Sequence, residues 1–330
     1  MRRSIALLEV DCKGMRKMFT IKQYLEIDGH EHGMIIEGTN EDNPIVLFLH
    51  GGPGYSEYPM ISREKLDWLQ HVTVCYWDQR GAGMSYNRST QGELSPERFV
   101  QDCVHVTLHL KQQWRKEKIY LFGHSWGSIV GSLVAHQYPE HYYAYIGTGQ
   151  IGRYLESAKD TVRFVKQNAQ YREDKRALKR ANKVVFDQEL HTSRPLVQVL
   201  SYVNKYRGGM KRSGYSTWQG FVDVLRSKHY TDRQKFNVIP GSFQTYKEVG
   251  EFMVHADLAK LTPNFDLPIY ILHGRHDFQT SILEAERFYE LIEAPYKEFH
   301  VFEESAHSPF VEEKEQFVTV LQQIIHQTSA

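Results

Sequence analysis

The sequence predicts an α/β architecture: a mostly parallel sheet flanked by helices, with an inserted helical segment. Three observations carry that expectation. Short, fully apolar runs alternate with segments of helical period over residues 40–150. The same alternation resumes at about residue 268 and continues to the last helix-like segment. Between them, residues 152–262 hold long polar–apolar segments of helical period and no short strand-like run. Strands that alternate with helices pair in parallel with helices on both faces. A chain of 330 residues accommodates one large domain with an insertion.

Phe19–Ile27 and His32–Gly38 read as two strands around the turn Asp28-Gly29-His30. Ile45–Leu49 follows Pro44, is apolar throughout and reads as a buried parallel strand. It runs into the loop His50-Gly51-Gly52-Pro53-Gly54. Val72–Trp77 is the next strand-like run, ending in the turn Asp78-Gln79-Arg80-Gly81-Ala82-Gly83. Ser95 and Pro96 supply a cap and a first-turn proline for a helix to about Trp114. A strand at Lys118–Phe122, a helix from about Ser125 to Gln137 and a strand at Tyr143–Ile146 follow. Downstream come a strand at Ile269–Leu272, a helix at about Ser281–Ile292, a strand at Lys297–Phe302 and a helix at Pro309–His326. The expected segments are a first core part over 19–151, a helical cap over 152–262 and a second core part over 263–330. Within the cap, Arg172–Lys183 reads as a solvated helix face, since Glu173 and Asp174 interleave its basic residues. Arg207-Gly208-Gly209 reads as an exposed polar tip.

Composition excludes several classes. Hydrophobic residues are 41% and charged residues 24%, the balance of a globular chain rather than a disordered or fibrous one. Lys plus Arg and Asp plus Glu are each 40, so nothing in the net charge attracts nucleic acid or an anionic membrane. The longest apolar runs are far below the ~20 residues that span a bilayer. Arg2 and Arg3 precede the apolar run Ile5–Leu8, which is shorter than the ~7–15 residues of a secretory signal core. The expectation is no signal peptide, Met15 or Met18 as alternative starts, and a cytoplasmic location. Cys12, Cys75 and Cys103 are widely spaced and odd in number, which fits buried free thiols in a reducing compartment and no zinc site.

Gly123-x-Ser125-x-Gly127 lies between a buried strand and a helix. Two glycines there permit a sharp turn that holds a serine on a strained, exposed tip, facing the helix N-terminal dipole. The loop after Ile45–Leu49 offers glycine N–H groups that approach a substrate oxygen without a side chain in the way. A serine nucleophile needs a base, and the base needs an orienting acid. Asp277 follows the strand Ile269–Leu272, and His307 follows the strand Lys297–Phe302. Both lie at the C-terminal ends of parallel strands, where sites form in open α/β sheets. His276 competes as base, and Asp266 and Glu304 are weaker alternatives to Asp277. His124 flanks the serine and reads as a packing residue.

His50-Gly51-Gly52-Pro53-Gly54, Asp78-Gln79-Arg80-Gly81-Ala82-Gly83-Met84-Ser85 and Gly123-His124-Ser125-Trp126-Gly127-Ser128 together resemble the prolyl aminopeptidase family of α/β-hydrolases. The resemblance is strong over 45–150, moderate over 268–310 and weak over the insertion. It implies the α/β-hydrolase fold, Ser125 as nucleophile, Asp277 as acid, His307 as base, and the Gly52 and Trp126 N–H groups as oxyanion hole. Members of that family hold the substrate's free α-amine through acidic residues on or beside the cap. The Trp-Glu pair many of them carry is Trp218-Gln219 here, and the Glu some carry after the catalytic Asp is Phe278. Glu251-Phe252 is a Glu-Phe pair within the cap, which makes Glu251 the candidate for binding the amine. The expected activity is serine hydrolysis of small peptides in the manner of a prolyl aminopeptidase. The alternative is an esterase, lactonase or amidase acting on a small non-peptide acyl compound. The expected partners are small molecules or short peptides, with no cofactor, metal, nucleic acid or membrane.

Overall fold

The computed structural model describes residues 5–9, 18–64, 66–90, 92–186 and 194–329. Cys12 and Met15 lie outside the described residues, whereas Cys75 and Cys103 are buried free thiols.

The described strands are β1 (Ile5–Glu9), β2 (Met18–Ile27), β3 (His30–Gly38), β4 (Ile45–Leu49), β5 (Thr73–Trp77), β6 (Ile119–His124), β7 (Tyr142–Thr148), β8 (Ile269–Gly274) and β9 (Lys297–Phe302). They form one sheet in the order β1-β2-β3-β5-β4-β6-β7-β8-β9. β1, β2 and β3 pair antiparallel, and β3 joins β5 antiparallel. Every pair from β5 across to β9 is parallel. The α/β-hydrolase fold expected from the sequence is the fold observed, with β1 as an added edge strand.

The helices are α1 (Tyr58–Ile61), α2 (Pro96–Trp114), α3 (Trp126–Gln137), α4 (Tyr154–Tyr171), α5 (Lys175–Ala181), α6 (Arg194–Lys205), α7 (Thr217–Arg226), α8 (Asp232–His255), α9 (Leu258–Leu261), α10 (Ile282–Leu291), α11 (Pro309–Glu312) and α12 (Lys314–Thr328). The Ser95 hydroxyl accepts the Arg98 N–H at 3.2 Å, so α2 starts where its cap and proline dictate. The expected last helix divides at Glu313, whose φ of −114° and ψ of 58° leave the helical region.

Side chains alternate across the sheet. Ile45, Leu47 and Leu49 enter one core with Phe99 of α2 and Ile129 of α3. Val46 and Phe48 enter the other, with Trp68, Phe310 and Phe317. Burying each such side chain contributes about 1.5–3 kcal/mol, so a five-residue strand is held from both faces. Helices α4 to α9 lie between β7 and β8 in the chain. Among them, Ala158, Val165, Ala177, Leu196, Val199 and Val254 form a third apolar cluster.

The order β5-β4-β6 puts β4 at the point where the sheet is wound outward in two directions. The loops after β4 and β6 therefore leave the same sheet end, the place where sites form in open α/β sheets.

Candidate active site

Ser125 sits between β6 and α3 with φ 55° and ψ −121°, a conformation that few non-glycine residues adopt. The surroundings hold it there. Its N–H donates to the Thr148 carbonyl at 3.0 Å, and its carbonyl accepts the Ser128 hydroxyl at 2.6 Å. Gly127 is required because a Cβ there would overlap the Leu49 carbonyl at the end of β4. The turn thus packs directly on the strand that precedes the glycine-rich loop. Ser125 remains 9% exposed, while His307 and Asp277 are sealed.

In that loop Gly52 has φ +118°, open only to glycine. A Cβ on Gly51 would stand 3.0 Å from the Ser125 Cβ, so the loop lies against the serine. The Gly51 N–H donates to Glu57 Oε2 at 3.1 Å. The N–H groups of Gly52 and Trp126 have no hydrogen-bond partner among the described residues. Trp126 is the first residue of α3, where a free N–H is the rule.

Asp277 and His307 come together from the loops after β8 and β9. His307 Nδ1 donates to Asp277 Oδ2 at 2.7 Å. The other carboxylate oxygen accepts the N–H groups of Gln279 at 2.8 Å and Thr280 at 2.9 Å. The Thr280 hydroxyl adds a bond to Oδ2 at 2.8 Å. Burial acts to raise the Asp277 carboxyl, but His307 and these donors outweigh it and hold it below the ordinary range. His307 Nε2 is buried and has no partner among the described residues. Nδ1 is engaged by the acid, so Nε2 is the ring atom left to take a proton. His273 approaches Asp277 Oδ2 at 3.4 Å, and burial depresses its affinity for protons.

The alternatives fall elsewhere. Asp266 is exposed before β8, and Glu304 is exposed and pairs with Arg212. His276 is part-buried, and its N–H donates to the Ser305 carbonyl at 2.9 Å. Glu251 is not brought to this group. It shares the exposed stripe of α8 with Pro240, Lys247 and His255, while Val249 and Met253 enter the core. Helical phase decides this: residues four and seven apart share a face, and Glu251 falls on the solvent side.

Three features have weak or no sequence signals. Thr280 stands three residues after Asp277, a turn spacing that is its only local mark. Glu57 is buried against His124, whose Nδ1 donates to both carboxylate oxygens at 2.8 Å. Burial opposes charge on each, yet the pairing prevails, raising the His124 imidazole and lowering the Glu57 carboxyl. Third, Gly208 and Gly209 are buried rather than an exposed tip. The Gly208 carbonyl accepts the Phe278 N–H at 2.9 Å, and the Gly209 carbonyl accepts the His307 N–H at 3.1 Å. A Cβ at Gly208 would press on the stacked rings of Phe164 and Phe278 at 2.9 Å each. Glycine at 208 lets this segment approach the loop that carries Asp277, and at 209 a Cβ would overlap Asn204. Trypsin is therefore expected to spare the Arg207–Gly208 bond of the native protein while it cuts exposed basic sites. Early cleavage at that bond, seen by mass spectrometry, contradicts the docking.

The comparisons with known proteins address the family and the fold. The chain is 27% identical over 313 residues to the probable aminopeptidase YbaC of Bacillus subtilis (strain 168), covering 93% of this chain and 96% of the relative. It is 24% identical over 287 residues to a proline iminopeptidase of Heyndrickxia coagulans, covering 84% and 88%. Among solved structures, the proline iminopeptidase of Mycobacterium smegmatis superposes with a TM-score of 0.66 at 18% identity, covering 93% and 98%. VinJ superposes with a TM-score of 0.67 at 20% identity over the same shares. The profile of the serine aminopeptidase S33 hydrolases matches residues 40–314, and by that match the chain belongs to this family of α/β-hydrolase enzymes.

Proposed function

We propose that the chain hydrolyses acyl compounds through Ser125, His307 and Asp277, with residues 152–262 as a cap over the site. The observation that carries the reading is the buried His307. Asp277 holds its Nδ1, and its Nε2 has no partner among the described residues; His307 follows β9 and Ser125 follows β6, two strands that run parallel in one sheet. In this reading the Ser125 hydroxyl attacks the substrate carbonyl carbon while its proton passes to His307 Nε2. The Gly52 and Trp126 N–H groups stabilise the oxyanion. His307 then returns the proton to the leaving group, and water repeats the sequence on the acyl-enzyme.

For substrate we propose small peptides with a free N-terminus, in the manner of a prolyl aminopeptidase. The names carried by the relatives support this class. One observation favours a second reading, an esterase or amidase on an uncharged acyl compound. The buried carboxylates on the loops after β4 and β5 are already engaged inside the protein. Glu57 is bound by His124, and Asp78 by the Tyr230 hydroxyl at 2.6 Å and the Met84 N–H at 2.7 Å. An ammonium in a dry cleft requires a carboxylate. A panel of aminoacyl arylamides, prolyl first, against simple aryl esters separates the two. Turnover of free-amine arylamides above their N-acetylated forms supports the peptidase. Turnover of esters alone removes it and retains the hydrolase.

A further inference from the structure

Behind Ser125 the structure holds a second buried pair that the three proposed catalytic groups do not include. Glu57 is 2% exposed and His124 is sealed. Both ring nitrogens of His124 face acceptors only. Nδ1 lies 2.8 Å from each Glu57 oxygen, and Nε2 lies 2.9 Å from the His307 carbonyl oxygen. A neutral imidazole has one N–H and would set a lone pair against one of these acceptors. Against an ionised Glu57 the ring makes both bonds only as an imidazolium; a neutral ring makes them only with its proton on Nε2 and the Glu57 carboxyl donating to Nδ1.

The pair joins three segments. Glu57 Oε2 accepts the Gly51 N–H from the glycine-rich loop. His124 is the residue before Ser125 and the last of β6. Its Nε2–H grips the backbone of His307, whose ring lies 4.6 Å from its own, centroid to centroid. The other charged or titratable groups that act on this pair include Asp277 and His273 toward His124, and His50 and Tyr55 toward Glu57. The edge of Phe310 closes one side of the His124 ring.

We propose that Glu57 and His124 form a positioning pair: one hydrogen-bonded chain from the Gly51 N–H to the His307 carbonyl that fixes the oxyanion loop, the nucleophile and the base relative to one another. The proposal rests on the catalytic reading above. A buried ion pair is weak evidence for stability, since well-packed apolar residues often replace one without loss. Its worth here lies in geometry, because misplacement of reacting groups by about 1 Å costs about a hundredfold in rate.

The test compares Glu57→Ala with Glu57→Gln on a neutral aryl ester, with rates normalised to sites titrated by a phosphonate. Glu57→Ala removes the link and is expected to lower kcat by more than about tenfold with KM within about threefold. In Glu57→Gln the amide oxygen accepts the Gly51 N–H, and the amide NH2 donates to a neutral His124 whose Nε2–H still reaches His307. That variant is expected to recover most of the kcat lost by Glu57→Ala. Unchanged kcat in Glu57→Ala, or equal loss in both variants, overturns the proposal. A second measurement needs no variant. Selective 15N-histidine labelling at pH 7 is expected to show a proton on Nε2 of His124, and an unprotonated Nε2, which leaves the His307 carbonyl unbound, overturns it. The protonation result stands whether or not Ser125 is the nucleophile, so failure of the catalytic reading remains distinguishable.

Discussion

Ser125→Ala is expected to lower kcat by at least about a thousandfold while the protein stays folded. The argument begins with the backbone. Ser125 occupies φ 55° and ψ −121° because Thr148, Ser128 and the close approach of Gly127 to β4 leave the turn no other path. Alanine occupies that turn at a cost similar to serine, since neither has a branched side chain. The substitution removes one oxygen and no core contact, so the thermal midpoint is expected to move little. Activity then falls to what the oxyanion donors and binding supply alone. His307→Ala is expected to cost a similar factor, and the double variant no more than either single one, because the two groups act as a unit. Losses that multiply in the double variant contradict that coupling.

Asp277→Asn is expected to cost about ten-thousandfold in kcat with the geometry nearly intact. Asp277 Oδ1 accepts two backbone N–H groups, from Gln279 and Thr280. An asparagine carbonyl oxygen keeps those bonds and so turns its NH2 toward His307. His307 Nδ1 must then accept, which leaves the ring proton on Nε2. A protonated Nε2 does not take a proton from Ser125. The tautomer is wrong even though every heavy atom stays in place. Kinetics on a neutral ester together with a structure of the variant check this. Retention of more than a tenth of the wild-type rate contradicts the role.

The strand-end residues were the most legible part of this molecule. β4 and the first four residues of β8, Ile269–Leu272, are short runs without a charged residue because both faces are covered, and such runs report that directly. Asp277 and His307 are thirty positions apart, but both follow strands, and the parallel sheet delivers consecutive strand ends to one edge. Glu57 and His124 were not legible. They are sixty-seven positions apart, and their meeting depends on how the loop after β4 folds back, which no local period encodes. Gly208 and Gly209 misled for a related reason. Two glycines beside an arginine are the mark of a solvent-facing turn, and equally of backbone pressed against backbone. Only the tertiary contact tells them apart. Glu251 lies on the exposed face of α8, a matter of helical phase that its place in the sequence does not show.

The central claim is that Ser125 is the nucleophile. A fluorophosphonate reacts at an activated serine and leaves a stable adduct. One equivalent is expected on the wild-type protein, located by peptide mass mapping on Ser125, with loss of esterase activity in step with labelling. No adduct is expected on Ser125→Ala. An adduct on another residue, or full activity in a fully labelled protein, contradicts the account.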